Sequence, residues 1–237
     1  MMENLSATDP IWENARDIFD RAAKAAVQSG RAPEEIRILA VTKTVPWERV
    51  GRAVEAGFSV LGENRVQEFL EKYPHYPLDK CSVHFIGTLQ TNKVKYIIDK
   101  VDMIQSVDSI RLAREIDRQA KKHGRVMDVL LEVNIGAEES KSGFLPECLE
   151  EALPEISGFK NIHVRGLMAI PPKTPPEAQN DYYFLRMRQM FVDIQSKKID
   201  NVNMDFLSMG MSQDFESAIL SGANMVRIGT SLFGGRK

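Results

Sequence analysis

The chain has 237 residues, of which 43% are hydrophobic and 27% charged, and its formal net charge is −2 at pH 7. These proportions are typical of a folded α/β protein. The near-neutral charge excludes nucleic acid as the main partner, because binding to a phosphate backbone needs a basic surface. No stretch approaches the ~20 apolar residues that span a bilayer, so we expect no membrane association.

The first predicted element is a helix over about residues 9–29. Asp9 suits the N-cap position and is followed by a proline. Ile18 and Ala22 belong to an apolar face with four-residue spacing, and Gly30 ends the pattern. This segment precedes a regular alternation of short aliphatic runs and amphipathic segments, and we treat it as an addition to the main fold.

The alternation after this helix predicts a (β/α)₈ TIM barrel. Strands are predicted near 36–43, 58–62, 82–87, 102–107, 126–133, 161–168, 202–207 and 223–228. Helices are predicted near 46–56, 64–72, 90–99, 109–122, 145–153, 178–195 and 213–221. A doubly wound open sheet is the alternative, and the lack of a GxGxxG motif after the first strand weakens it.

We expect residues 1–237 to form a single domain, with the barrel over about residues 36–237. The proline-rich stretch Pro171–Pro176 is interpreted as a stiff surface loop, because a helix and two further strands must follow it to close the sheet. The two cysteines, Cys81 and Cys148, show neither metal-ligand nor disulfide spacing. They predict no metal site and a reducing, cytoplasmic location.

Lys43 ends the first predicted strand, directly before Thr44 and Pro46. A lysine at the end of a buried strand can be partly desolvated, and a desolvated lysine loses its proton more easily. The resulting amine is the nucleophile that Schiff-base chemistry with an aldehyde needs. The alternative is a lysine whose ammonium simply reaches water.

The last two strand ends predict an anion site. Ser208–Ser212 leads from the seventh strand into a helix, whose first backbone N–H groups can bind a phosphate together with the hydroxyls. Gly229 and Thr230 follow the eighth strand and can add donors from the side. Phosphate sites of barrels often form from these two loops. The alternative is that the glycines are turn residues and the serines are helix caps.

A Schiff-base lysine and a phosphate site across one barrel mouth together suggest pyridoxal 5′-phosphate (PLP) as the cofactor. Arg227 is the candidate partner of the pyridine nitrogen. Because a guanidinium keeps its proton, it can donate to that nitrogen without protonating it. His84, inside the third strand, is interpreted as a core histidine with a hydrogen-bond partner.

Seven sequence segments resemble the pyridoxal phosphate homeostasis protein family, also called the YggS or proline synthase co-transcribed type. They are AVTKT at 40–44, GENRVQE at 62–68, HFIGTLQTNK at 84–93, EVNIG with KSGF at 132–144, RGLM at 165–168, LSMGMSQDFE at 207–216 and RIGTSLFG at 227–234. The resemblance implies the fold type III barrel of the alanine racemase N-terminal domain.

The resemblance also implies which residues bind the cofactor. Lys43 would carry PLP as an internal aldimine. The other implied contacts are the phosphate ligands Ser212, Gly229 and Thr230 with Ser208 nearby, Arg227 at the ring nitrogen, and Asn64 and Met168 along the pocket. Gln90–Lys93 and Lys141 are expected around the mouth.

The function that we expect is intracellular PLP carriage or supply without catalytic turnover. The chain ends soon after the eighth strand, so no second domain is expected to cover the mouth, whereas amino-acid catalysis needs a closed site. Apo forms of PLP enzymes are the expected transient partners of a monomer. The alternatives are an amino-acid racemase or decarboxylase and, without a cofactor, a Schiff-base aldolase.

Overall fold

The structure, a computed structural model, describes residues 10–172 and 181–235. Within them, eight parallel strands close into a barrel in the order in which they occur along the chain. The strands are β1 (Arg37–Val41), β2 (Val60–Glu63), β3 (Ser82–Phe85), β4 (Met103–Val107), β5 (Met127–Val133), β6 (Ile162–Ala169), β7 (Val202–Met211) and β8 (Met225–Ile228). The predicted (β/α)₈ barrel is confirmed.

Helices alternate with these strands. They are α1 (Pro10–Gln28), α2 (Trp47–Glu55), α3 (Val66–Lys72), α4 (Val94–Ile97), α5 (Ile110–Lys122), α6 (Pro146–Ser157), α7 (Asp181–Ser196), α8 (Phe215–Leu220) and α9 (Thr230–Phe233). The helix predicted over 90–99 is instead a 3₁₀ turn, Thr91–Lys93, followed by α4. Helix α9 was not predicted, because four residues are too few to show a helical period.

Three expectations fall on residues that the structure does not describe. They are the N-cap at Asp9, most of the loop Pro171–Pro176, and the first residues of the helix predicted over 178–195. Among residues 10–172 and 181–235, no helix is long and apolar enough to cross a membrane.

The strands are aliphatic because both of their faces are buried, as in other parallel sheets. Inside the barrel, Leu39, Val60 and Ile86 form one apolar cluster. A second interior cluster consists of Met103, Leu130, Met168, Phe206 and Met225. The opposite face of each strand packs against the helices in the main core. Alternate residues of one strand therefore belong to different environments.

Helix α1 packs outside the barrel against α8 and α9. Its buried face includes Ile11, Ile18 and Ala22. The side chain of Asn14 donates a hydrogen bond of 2.9 Å to the carbonyl oxygen of Leu232 in α9. The extra helix thus fixes the element that follows the last strand.

Pairing of β1 with β8 closes the barrel. Leu39 pairs with Arg227 and Ala40 with Ile228, while Val41 pairs with Gly62 of β2 on the other side. The carboxyl ends of β1, β2 and β8 therefore meet at one edge of the mouth.

Charged side chains and one aromatic ring close the opposite, amino-terminal end of the barrel. Arg165 forms ion pairs of 2.6 Å with Asp128 and 2.5 Å with Asp205. Its guanidinium lies 5.4 Å from the ring centre of Phe206, and that of Arg37 lies 4.7 Å from the same centre. We call these five residues the barrel floor.

Gly166 should not tolerate a side chain. Its φ is +145°, and a Cβ atom there would lie 1.9 Å from the carbonyl oxygen of Phe206. We expect Gly166→Ala to lower the free energy of unfolding by about 2 kcal/mol or more, measured by urea denaturation. Gly51→Ala in α2 is the matched control, since its Cβ would meet no atom within 4 Å. Equal effects of the two substitutions would contradict this account of Gly166.

Candidate functional site

Lys43 lies just beyond β1, half-buried, at the edge of a cleft of about 610 Å³. The cleft is lined by Val41, Lys43, Thr44, Val45, Pro46, Arg49, Gly229, Thr230, Phe233, Gly234 and Gly235. It therefore joins the end of β1 to the loop and helix that follow β8. Three residues predicted for the site, Lys43, Gly229 and Thr230, share this one cleft.

The backbone on either side of Lys43 is held by hydrogen bonds. The hydroxyl of Thr42 donates to Glu63 Oε1 over 2.6 Å and to the carbonyl oxygen of Gly62 over 3.1 Å. The backbone N–H of Thr44 donates to Glu68 Oε1. Thr44 adopts a φ of +62°, which costs a β-branched residue about 1–3 kcal/mol. The surrounding contacts must maintain this conformation.

Four side chains behind β1 and β2 form a cluster, which we call the Glu63 cluster: Glu63, Lys72 and Tyr76, which are buried, and Glu68, which is partly exposed. Lys72 Nζ lies 2.7 Å from Glu63 Oε1 and 2.9 Å from Glu68 Oε1. The Tyr76 hydroxyl donates to Glu63 Oε1. Burial and the nearby Glu63 carboxylate raise the pKa of Tyr76, so the phenol stays protonated.

Glu63 and Glu68 belong to the GENRVQE motif at 62–68, whereas no sequence motif includes Lys72 or Tyr76. The available signal was the four-residue spacing of Glu68 and Lys72, which places them on one face of a helix. That spacing does not reveal that Glu63, on the preceding strand, joins them.

Ser212 lies between β7 and α8, as the sequence predicts, and its side chain contacts the start of α9. Its hydroxyl accepts hydrogen bonds from the backbone N–H groups of Gly229, over 3.1 Å, and Ser231, over 3.3 Å. The Ser231 hydroxyl donates to the carbonyl oxygen of Ser212 over 3.2 Å. Backbone donors and hydroxyls thus converge beside the cleft, in an arrangement suited to an anion.

Arg227 is buried inside the barrel beneath the mouth. Its Nη1 donates to the carbonyl oxygen and hydroxyl of Ser208, over 2.9 and 2.7 Å, and its Nη2 to the carbonyl oxygen of Ala169 over 2.8 Å. Burial lowers the pKa of Arg227 to about 10, against the opposing effects of Glu132 and Asp214. The guanidinium therefore remains charged at neutral pH.

Ser208 is fully buried, and its hydroxyl is used within the barrel. While accepting from Arg227, it donates to Gln105 Oε1 over 2.7 Å. The Gln105 amide in turn lies 2.8 Å from Nδ1 of His84. Burial, followed by the charge of Arg37, lowers the pKa of His84 to about 3, so the imidazole is neutral and accepts this bond. The interpretation of His84 as a core histidine is confirmed.

Met168 and Asn64 differ in their depth below the mouth of the barrel. Met168 is fully buried in the interior and pairs in register with Glu132 and Ser208. Asn64 is half-buried after β2, and its buried Oδ1 accepts no hydrogen bond from the described residues. A Cβ atom on Gly87 would lie 2.1 Å from the Asn64 carbonyl oxygen, so the two loops touch. The amide oxygen of Asn64 is an acceptor that a ligand could satisfy.

Glu132, at the end of β5, is the main titratable group that sequence reasoning noted without a role. It is only 9% exposed. Burial, and secondly the charge of Asp108, raise the pKa of Glu132 to about 7, while Arg227 opposes the shift. The carboxyl group can therefore gain or lose a proton near neutral pH. In the described parts of the chain, no group of His, Cys, Asp and Glu side chains is placed to hold a metal ion.

Comparison with known proteins identifies the family. The model of the alanine racemase N-terminal domain family matches residues 21–237. A pyridoxal phosphate homeostasis protein of Aquifex aeolicus (strain VF5) is 45% identical over 225 residues, which cover 95% of this chain and 98% of that protein. The chain belongs to the pyridoxal phosphate homeostasis protein family.

A second pyridoxal phosphate homeostasis protein and a solved structure agree with this assignment. The protein of that name from Escherichia coli (strain K12) is 38% identical over 229 residues, covering 95% of this chain and 97% of that protein. The structure of PipY from Synechococcus elongatus PCC7942 with PLP bound superposes with a TM-score of 0.78 at 33% identity, covering 90% of this chain and 100% of that chain. The family resemblance drawn from the motifs is confirmed.

Glu132→Gln tests the environment of this carboxyl group. Because its pKa is raised from 4.5 to about 7, ionisation opposes folding increasingly as the pH rises through that interval. The neutral amide removes this penalty. We expect the substitution to increase the free energy of unfolding by about 2 kcal/mol more at about pH 8 than at about pH 5.

The measurement is urea denaturation at both pH values. Glu139→Gln, at an exposed position in the loop after β5, is the control and should change stability little at either pH. A Glu132→Gln effect that is independent of pH would show that Glu132 is ionised normally.

Proposed function

We propose that the chain binds PLP at the mouth of the barrel through a Schiff-base link to Lys43 and serves vitamin B6 homeostasis as a carrier or supplier of the cofactor. The observation that carries the proposal is the single cleft that places Lys43 beside Gly229 and Thr230. An amine and an anion-binding loop within one small-molecule cleft match the aldehyde and the phosphate of this cofactor.

The described residues fit PLP in size and in donor chemistry. The cleft, about 610 Å³, lies within the range of small-molecule sites, roughly 300–1,000 Å³. Ser212, Gly229 and Thr230 would bind the phosphate. The phosphate would share or replace the Ser212 hydroxyl at the two backbone donors that it now occupies. The unsatisfied Asn64 oxygen supplies a further polar contact.

PLP, when bound, supplies an aldehyde and an electron-accepting ring. The amine of Lys43 would hold PLP covalently at its aldehyde carbon. Arg227 would face the ring nitrogen as a charged donor, since its pKa of about 10 keeps its proton in place. Ser208 and the Ala169 carbonyl oxygen hold the guanidinium there, so we assign Ser208 to positioning Arg227 and not to the phosphate.

Arg227 also supports a carrier over a catalyst. A guanidinium donates a hydrogen bond without transferring its proton, so Arg227 would leave the ring nitrogen of bound PLP unprotonated, and the ring would be a weaker electron sink than one paired with a carboxylate. The names of the related proteins from Aquifex aeolicus and Escherichia coli refer to homeostasis and to no reaction. We extend this role to the present chain, acting as a monomer in the cytoplasm with apo-enzymes as transient recipients.

Lys43 should carry the cofactor covalently. After incubation with PLP and reduction with borohydride, peptide mass mapping is expected to place a pyridoxyl group on Lys43. Lys43→Ala should remain folded and lose the absorbance band of the Schiff base. Lys93→Ala and Lys141→Ala are controls that keep the band. Labelling of Lys93 or Lys141 in place of Lys43 would refute the assignment.

Glu132 supports a second candidate function, an amino-acid racemase or decarboxylase. A carboxyl group with a pKa of about 7 near the mouth has the proton affinity that a general acid or base needs at neutral pH. The carrier and the enzyme would share Lys43 and the phosphate site, so only turnover separates them.

We expect no turnover of amino acids. The measurement is a panel of L- and D-amino acids assayed for racemisation, decarboxylation and transamination, with Lys43→Ala as the background. In parallel, the PLP-loaded protein should reactivate a cofactor-stripped transaminase faster than PLP is released into buffer. Turnover that depends on both Lys43 and Glu132 would establish the enzyme and reject the carrier.

A further inference from the structure

The Glu63 cluster lies against the outer face of β1, on the other side of the strand from the cleft. Val41 and Lys43 line the cleft, whereas Thr42 between them is fully buried and hydrogen-bonded to Glu63. This is the alternation expected of successive residues in a strand. The cluster therefore touches the backbone that carries Lys43 without taking part in the proposed cofactor contacts.

The ammonium of Lys72 donates two hydrogen bonds and forms an ion pair with Glu63. Besides its contacts with Glu63 Oε1 and Glu68 Oε1, its Nζ donates to the carbonyl oxygen of Thr42 over 2.9 Å. An ammonium group has three N–H donors, and these three oxygen atoms lie within 2.9 Å of it. Lys72 is thus locked in place although it is almost fully buried.

Glu68 extends this restraint to the residue after Lys43. Its Oε1 accepts from Lys72 Nζ and also from the backbone N–H of Thr44, the residue held at a φ of +62°. The chain is therefore fixed at Thr42 by Lys72 and at Thr44 by Glu68. The single residue between these two points of attachment is Lys43.

We propose that Glu68 and Lys72 are positioning residues for Lys43, which hold the flanking backbone so that the amine meets the cofactor aldehyde in the orientation needed for covalent attachment. This inference rests on the proposed function. Burying charges costs free energy that a well-packed apolar group would not incur. An apolar group, however, could form a hydrogen bond with neither the Thr42 carbonyl oxygen nor the Thr44 N–H. The charged cluster therefore orients the backbone beside Lys43 in addition to filling space.

A matched pair of substitutions at Glu68 separates the effect of the hydrogen bond to Thr44 from the effect of side-chain volume. Glu68→Gln retains an acceptor oxygen for the Thr44 N–H, whereas Glu68→Leu removes it at similar volume. Glu71→Leu, at an exposed position of the same helix, controls for the loss of a carboxylate from α3. The probes are PLP and pyridoxine 5′-phosphate, whose alcohol cannot form a covalent link with a lysine.

We expect Glu68→Leu to weaken PLP binding about tenfold or more while leaving pyridoxine 5′-phosphate binding within about twofold of the unsubstituted protein. Glu68→Gln and Glu71→Leu should bind both ligands within about threefold of it. In the ligand-free protein, amide hydrogen exchange of residues 42–45 should be about tenfold faster in Glu68→Leu than in Glu68→Gln.

Two outcomes would overturn the positioning role. Unchanged PLP binding by Glu68→Leu would show that the restraint is unnecessary, and an equal loss of both ligands would show a purely structural role. Failure of the proposed function has a different signature, because the unsubstituted protein would then bind PLP no more tightly than pyridoxine 5′-phosphate and give no borohydride-fixed label on Lys43.

Discussion

Pairing of β1 with β8 is the constraint on which the candidate site depends. It joins the first and last strands of the barrel and sets Leu39 beside Arg227. Lys43 and Thr230, far apart in the chain, consequently line one cleft. Helix α1 supports this closure from outside, since Asn14 bonds the carbonyl oxygen of Leu232 in α9. A closed barrel also has no free edge, so the register of every strand relative to its two neighbours is fixed. The site is therefore a property of the whole sheet and of no single motif.

Two buried polar systems lie on opposite faces of the barrel wall and differ in character. The interior chain runs from Arg227 through Ser208 and Gln105 to a neutral His84, so the one charge, on Arg227, is held by a path of neutral hydrogen-bonding groups. The Glu63 cluster instead pairs opposite charges directly behind β1. In the interior chain, neutral polar groups hold the guanidinium of Arg227 beneath the mouth. In the Glu63 cluster, charged groups hold the backbone of Thr42 and Thr44. Low polarity strengthens both, because a buried hydrogen bond that is broken is not replaced by water.

The sequence was sufficient to predict the barrel, the strand ends and the cleft residues Lys43, Gly229 and Thr230. Parallel strands buried on both faces produce aliphatic runs, and polar residues then mark their ends. Roles set by distant partners could not be predicted. Ser208 was expected near a phosphate, but its hydroxyl bonds Arg227 and Gln105. Glu132 has an elevated pKa because the fold buries it near Asp108. Tyr76 meets Glu63 only once α3 has turned the chain back toward β2.

The barrel floor affects the route by which a small molecule can reach the cleft. Phe206 lies under two guanidinium groups, and ion pairs tie Arg165 to the strands on both sides of its own. Phe206 also belongs to the interior apolar cluster with Met103, Leu130, Met168 and Met225. Since these side chains pack across the centre of the barrel, we expect a small molecule to enter and leave the cleft from the side of the mouth. If the chain carries PLP as proposed, uptake and release of the cofactor would follow the same route in opposite directions, and a receiving protein would approach the cleft from its solvent-facing side.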